Sequence, residues 1–178
     1  VVGHSAACTL AWLAADRHPD RVAGTVLIGG FPTTDGERYA DYFEPVDDQV
    51  AFPGWEPFAG ADSDDLDEAA RAAFADLSTS VPAAVTRAEV RYTDPARFEV
   101  PTTLICPEYS AEDARGWVAA GDVPELANVR RIDYVDIDSG HWPMFTAPEA
   151  LAQVIADDAE ALPAHGEAVT ARFARTER

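Results

Sequence analysis

The chain has 178 residues, of which 47% are hydrophobic and 25% charged, enough for one domain with a real core and too apolar for a disordered chain. Thirty-two acidic residues against 13 basic ones give a net charge of −19, which argues against nucleic acid and an anionic membrane surface as partners. Cys8 and Cys106 are too few for a disulfide framework or a zinc site, and no apolar run is long enough to span a membrane.

In chain order, Val1 and Val2 are β-branched and suit a buried strand. Gly3 permits a tight turn, Ser5 stands at its apex, and Ala6, Ala7 and Cys8 are small enough for a following helix to pack close to the strand. Leu10, Ala11, Leu13 and Ala14 recur at helical spacing, so a helix is expected over residues 8–17, ending near His18-Pro19-Asp20. A serine on such an elbow projects its hydroxyl out of the backbone. The next N–H, that of Ala6, points into the same space as half of an oxyanion hole. The plainer reading of these residues is a helix start with Ser5 as its N-cap. Val22 to Ile28 is a continuous apolar run ending in Gly29-Gly30, as in a parallel strand buried on both faces. Strand, elbow, helix and strand make one βαβ unit.

Residues 31–98 change character. Phe31 to Gly36 is a turn-rich exit, followed by Tyr39, Tyr42, Phe43, Phe52, Trp55 and Phe58 among prolines and acids. A helix is expected over Leu66 to Leu77, N-capped from Asp62-Ser63-Asp64-Asp65, and another over Val81 to Val90 with Pro82 in its first turn. The acidic run lacks the glycine and distal glutamate of a calcium loop, so a solvated cap is the simpler reading. A stretch this long between core strands reads as a helical lid or cap over residues 36–98, whose aromatics pack its own core or line a substrate pocket.

Phe98 to Cys106 is the next expected strand, stopped by Pro107, with a loop at Glu108 to Ala111. Glu112 to Ala120 reads as a helix closed by Gly121. Val129 to Ile137 alternates partly, as an edge strand does. After Asp138-Ser139-Gly140-His141-Trp142-Pro143, an amphipathic helix opens at Ala147-Pro148-Glu149 and carries Leu151, Val154 and Ile155. Residues 161–178 are expected to be a frayed tail. The core is thus expected over 1–35 and 99–160.

A serine is a weak nucleophile and needs an adjacent base, itself oriented by an acid. His141 follows a strand, sits beside Gly140 and precedes a helix, which suits a base at the elbow's edge of the sheet. Its plain alternative is a loop histidine bonded to backbone. His4 adjoins Ser5 with its side chain expected to point away from the hydroxyl; His18 is in a helix-ending turn and His165 in the tail. Candidate pocket walls are His4, Trp55 and Trp142. There is no glycine-rich phosphate loop and no cluster at metal-ligand spacing, so no cofactor and no metal are expected.

The elbow Gly3-His4-Ser5-Ala6-Ala7, the strand Val22 to Ile28, a helical lid, the strand Thr102 to Cys106 and the loop Asp138 to Pro143 together resemble the α/β-hydrolase fold family, in its serine branch, over residues 1–157. The resemblance implies a parallel α/β sheet with a helical lid insertion and the chain order nucleophile, acid, histidine. It implies acyl transfer to water from a small ester-like substrate, with Ser5 as nucleophile, His141 as base and the Ala6 N–H on the oxyanion. A serine at the elbow argues against the dehalogenase and epoxide-hydrolase branches, which need an aspartate there.

The sequence departs from the family pattern in three places. Ala7 stands where the elbow pattern has glycine. The usual acid position falls on Ser110; Glu108, in the loop at the strand's carboxyl end, is the first choice for the acid and Asp35, after the previous strand, the alternative. Glu112 and Asp113 read instead as a helix start, where acids meet the positive dipole end. The strands that precede the elbow, with the loop donating a second oxyanion N–H, are missing, so the chain is read as a fold lacking its N-terminal strands and a piece of a longer enzyme. The competing reading is a non-catalytic binding module on the same scaffold. A cytoplasmic location is expected.

Overall fold

The structure, a computed structural model, describes residues 1–162; residues 163–178 of the expected tail lie outside the described residues. β1 (Val2–His4) runs through the elbow into α1 (Ala7–Arg17), and β2 (Thr25–Ile28) follows. An insertion then carries β3 (Gln49–Val50), α2 (Glu68–Leu77), β4 (Val81–Pro82) and α3 (Ala83–Thr86). The chain returns through β5 (Thr102–Cys106), α4 (Ala111–Ala120), β6 (Ile132–Asp136), α5 (Pro143–Thr146) and α6 (Pro148–Ala161).

Four strands form one parallel sheet in the order β1-β2-β5-β6. The register places His4, Ile28, Ile105 and Val135 side by side, so all four strands leave the sheet at one carboxyl edge. Period-2 alternation sorts their side chains. Leu27, Leu104 and Cys106 pack with Cys8, Ala11 and Trp12 of α1 and Ala111 and Ala114 of α4. Val26, Ile28 and Ile105 face Leu151, Val154 and Ile155 of α6. Leu27 and Leu104 are fully buried, and burial of each such side chain contributes about 1.5–3 kcal/mol. Helices cover both faces, which is why β2 and β5 are buried at every position and read as unbroken apolar runs.

Some boundaries differ from expectation. β2 begins at Thr25 because the N–H groups of Arg21 and Val22 donate back to His18 O at 2.9 and 3.0 Å, prolonging the turn after α1. β5 begins at Thr102, and Pro95–Glu99 is instead a 3-10 turn capped by Asp94. In the insertion, α2 starts at Glu68, with Asp67 as its cap accepting from Ala70 N–H at 2.7 Å; the acidic run 62–65 does not cap it. The helix expected from Val81 to Val90 breaks up. Val81 and Pro82 pair with β3, only Ala83–Thr86 is helical, and Val90 N–H donates to Glu37 O at 2.8 Å. Pairing with distant segments outweighs the local preference there.

A buried polar knot ties the insertion's return to the sheet. Asp16, 1% exposed, accepts from the N–H groups of Thr93 and Asp94 at 2.8 Å each and from Arg97. Glu125 accepts from Trp12 Nε1 and Arg97 Nη2, both at 3.3 Å. The Arg97 guanidinium lies 4.2 Å over the Phe98 ring. One cation thus serves two buried carboxylates.

Candidate active site

The elbow is strained at one residue. Ser5 has φ +53°, in the left-handed region, which costs a non-glycine residue about 1–2 kcal/mol. Its N–H donates to Ile28 O at 2.9 Å and its carbonyl accepts from Cys8 N–H at 2.9 Å, so sheet and helix together impose the conformation. Glycines make room for it. A Cβ on Gly3 would lie 2.4 Å from Ala7 O, and one on Gly30 would lie 2.9 Å from Ser5 O. Ala6, not Ser5, is the helix N-cap residue, and it makes no side-chain cap. N–H groups at a helix start lack intrahelical acceptors and so are available to an anion.

His141 is held from three sides. Its Nδ1–H donates to Glu108 Oε1 at 2.8 Å, which fixes the tautomer and leaves Nε2 as the ring's acceptor. Its carbonyl accepts from His4 Nε2–H at 2.6 Å. Its backbone N–H donates to the carbonyl of Asp62, in the insertion, at 2.8 Å. Glu108 comes from the loop after β5 and His141 from the loop after β6, so both sit at the sheet edge that carries Ser5. Gly29, with φ +57°, lies between them. A Cβ there would meet His141 Nδ1 at 3.1 Å and Glu108 Oε2 at 3.2 Å.

Ser5 and His141 open into one cavity of about 460 Å³. Its other walls are His4, Phe52, Phe58, Phe74, Trp142, Met144 and Phe145, almost wholly apolar. Phe52, Phe58 and Phe74 also stack among themselves and on Trp142, so the insertion's aromatics both pack and line. Trp55 stands behind this wall, 5.1 Å from Trp142.

The profile of the alpha/beta hydrolase family matches residues 1–154. The chain belongs to the α/β-hydrolase family. No curated protein matches it by sequence. Among solved structures it is similar to an extracellular alpha/beta-hydrolase from Paenibacillus, with TM-score 0.65 and 17% identity over 88% of this chain and 69% of that one. A methylesterase from Arabidopsis gives TM-score 0.65 and 16% identity over 90% and 69%. A pyrethroid hydrolase from Sphingobium faniae gives 0.58 and 21% over 90% and 70%. At these identities the likeness is one of fold.

Within this α/β-hydrolase fold, the other candidate triad acids are engaged elsewhere. Asp35 Oδ1 accepts from Tyr92 N–H at 2.9 Å, and Asp35's own N–H donates to Glu125. Ser110, at the usual acid position, caps α4 by accepting from Asp113 N–H at 3.0 Å, and Glu112 and Asp113 lie in that helix's first turn. Burial pushes the Cys8 thiol up to about 12, so behind the elbow it is a neutral packing group. Burial also lowers the pKa of His4, which keeps it neutral as a donor to His141 O. Three hydrogen bonds were invisible in the sequence: the one from His4, and those that His141 N–H and Gly140 N–H donate to Asp62 O and Asp65 Oδ2, across 79 and 75 residues.

Proposed function

We propose that the protein is a serine hydrolase acting on neutral carboxylic esters with an apolar or aromatic group. The observation that carries this reading is the 2.8 Å contact of Glu108 with His141 Nδ1 in the cavity that Ser5 also lines. In the mechanism, Ser5 Oγ attacks the ester carbonyl while His141 Nε2 takes its proton. Glu108 holds the imidazole in the productive tautomer and stabilises the imidazolium. The Ala6 N–H donates to the oxyanion. His141 then protonates the departing alcohol, and a water activated by the same nitrogen hydrolyses the acyl-enzyme. Phe52, Phe58, Phe74 and Trp142 hold the apolar part of the substrate, with Trp55 supporting Trp142. A net charge of −19 disfavours substrates bearing a free carboxylate. The fold's likeness to a methylesterase and a pyrethroid hydrolase supports an ester as the substrate class.

Hydrolysis of p-nitrophenyl esters tests the reading. The protein should turn over an ester with an aromatic acyl group, and Ser5→Ala should lower kcat by about 10³-fold or more. A folded wild-type protein that binds such an ester and releases no nitrophenol would overturn the reading in favour of a binding module.

A further inference from the structure

The loop that bears His141 is fastened to the insertion by two successive peptide N–H groups. Gly140 N–H donates to Asp65 Oδ2 at 2.7 Å, and His141 N–H donates to Asp62 O at 2.8 Å. The approach is close enough to require a glycine. A Cβ on Gly140 would fall 2.5 Å from Asp62 O and from Asp65 Oδ1, and 3.0 Å from Ala61 O. Asp65 is exposed, as an acidic side chain ordinarily is, yet one carboxylate oxygen is committed to this N–H.

The turn offering these acceptors is itself built into the cavity wall. Ser63, fully buried, donates its hydroxyl to Phe58 O at 2.7 Å. Arg71 of α2 donates to Ser63 O at 2.5 Å and to Leu66 O at 3.2 Å, and its carbonyl accepts from Trp55 Nε1 at 3.2 Å. Phe58 and Phe74, which line the cavity, thus belong to the segments that hold the strap.

We propose that Asp65 is a positioning residue: it fastens the His141 loop to the insertion and so holds the imidazole where Ser5 needs it. The catalytic part of this rests on the hydrolase reading. Glu108 aligns the ring and His4 holds the carbonyl, while Asp65 and Asp62 hold the backbone from the insertion. A wall residue displaced by a poorly fitting ligand therefore disturbs His141 through the strap, coupling fit in the pocket to the base. Misplacing a catalytic group by about 1 Å can cost 10²-fold in rate.

Two readouts on the full chain test this. The first is the rate of covalent labelling by a fluorophosphonate, with KM and kcat on a p-nitrophenyl ester. The second is amide hydrogen exchange at Gly140 and His141, which needs no activity. Asp65→Ala should slow labelling and lower kcat by about 10–100-fold with KM within about threefold, and should speed exchange at both amides at least about tenfold. Asp65→Asn keeps an acceptor for Gly140 N–H and should restore both readouts to within about threefold of wild type. Gly140→Ala, which strikes the strap from the other side, should reproduce the loss; Asp64→Ala, the exposed neighbour, should not. Unchanged labelling and exchange in Asp65→Ala, or an Asp65→Asn variant as impaired as Asp65→Ala, overturns the proposal. If the wild type takes no label, the hydrolase reading fails, and exchange alone decides: faster exchange in Asp65→Ala upholds the fastening, unchanged exchange refutes it.

Discussion

The sheet and the insertion are held by different means. α1 and α2 differ in length by one residue, yet α1 buries Trp12, Cys8, Ala11 and Ala15 while α2 buries none of its residues. The sheet rests on apolar burial and an unbroken parallel ladder. The insertion rests on stacked rings, on Arg71 bound to carbonyls, and on the Arg87 contacts with Asp41 and Glu44. Exposed ionic contacts of this last kind are worth only about 0–1 kcal/mol each. The lesson is a division of labour. The sheet edge bears Ser5, Glu108 and His141, while the insertion bears most of the aromatic wall. On the proposed reading, changes at the sheet edge should alter chemistry on every substrate, and changes in the insertion should alter which substrates fit.

The largest effect expected is from Glu108→Gln, which keeps the size of the side chain and removes its charge. It should lower kcat by about 10³–10⁴-fold with KM within about threefold in steady-state kinetics. A loss under tenfold would place the orienting acid elsewhere. Next, Arg97→Met leaves Asp16 and Glu125 buried without their shared cation. It should destabilise the protein by about 3 kcal/mol in denaturant unfolding. Because the knot joins both regions, both should unfold earlier; a change confined to the insertion would contradict the joint. Smaller still, Phe74→Ala should raise KM about tenfold for an ester with an aromatic acyl group, and less than about threefold for an acetyl ester. Equal changes for both would deny the insertion its part in substrate choice.

The smallest effect is a pH dependence at His4, where the two regions meet around His141. Burial lowers the folded pKa of His4 below the ordinary value of 6.5, against weaker opposing influences from the His141 carbonyl and the Glu108 charge. Between the folded and unfolded pKa values the unfolded chain binds more protons, so stability rises with pH. The contribution is fully present above pH 6.5 and falls as pH drops below it. The Tm difference between wild type and His4→Gln should therefore shrink from pH 7.5 toward more acidic buffers. A constant difference would contradict a neutral, half-buried His4.

What was legible in the sequence was local. Gly3, Ser5 and the small residues after it spelled out a strand, elbow and helix, and the apolar runs ending at Ile28 and Cys106 spelled out buried parallel strands. Gly121, at φ +87°, closes α4 where a C-cap glycine was expected. Loop placement alone ranked Glu108 ahead of Asp35, and the structure sets Glu108 against the His141 ring and Asp35 against Tyr92 N–H. What was illegible was long-range. Val81 and Pro82 suit a helix start, but their partners are Gln49 and Val50, which no local pattern announces. Asp62 to Asp65 have the composition of a helix cap, yet Asp65 accepts from Gly140 N–H, Asp62 O from His141 N–H, and Ser63 bonds Phe58 O, partners that no local pattern announces. His4 gave no sign that it would bond to a carbonyl 137 residues away.

The most direct test of the central claim is mass spectrometry of the protein after reaction with a fluorophosphonate. A single adduct on the peptide bearing Ser5, absent from Ser5→Ala and strongly slowed in His141→Ala, is the result predicted. An adduct elsewhere, no adduct on folded protein, or labelling of Ser5 that is indifferent to His141 would contradict it.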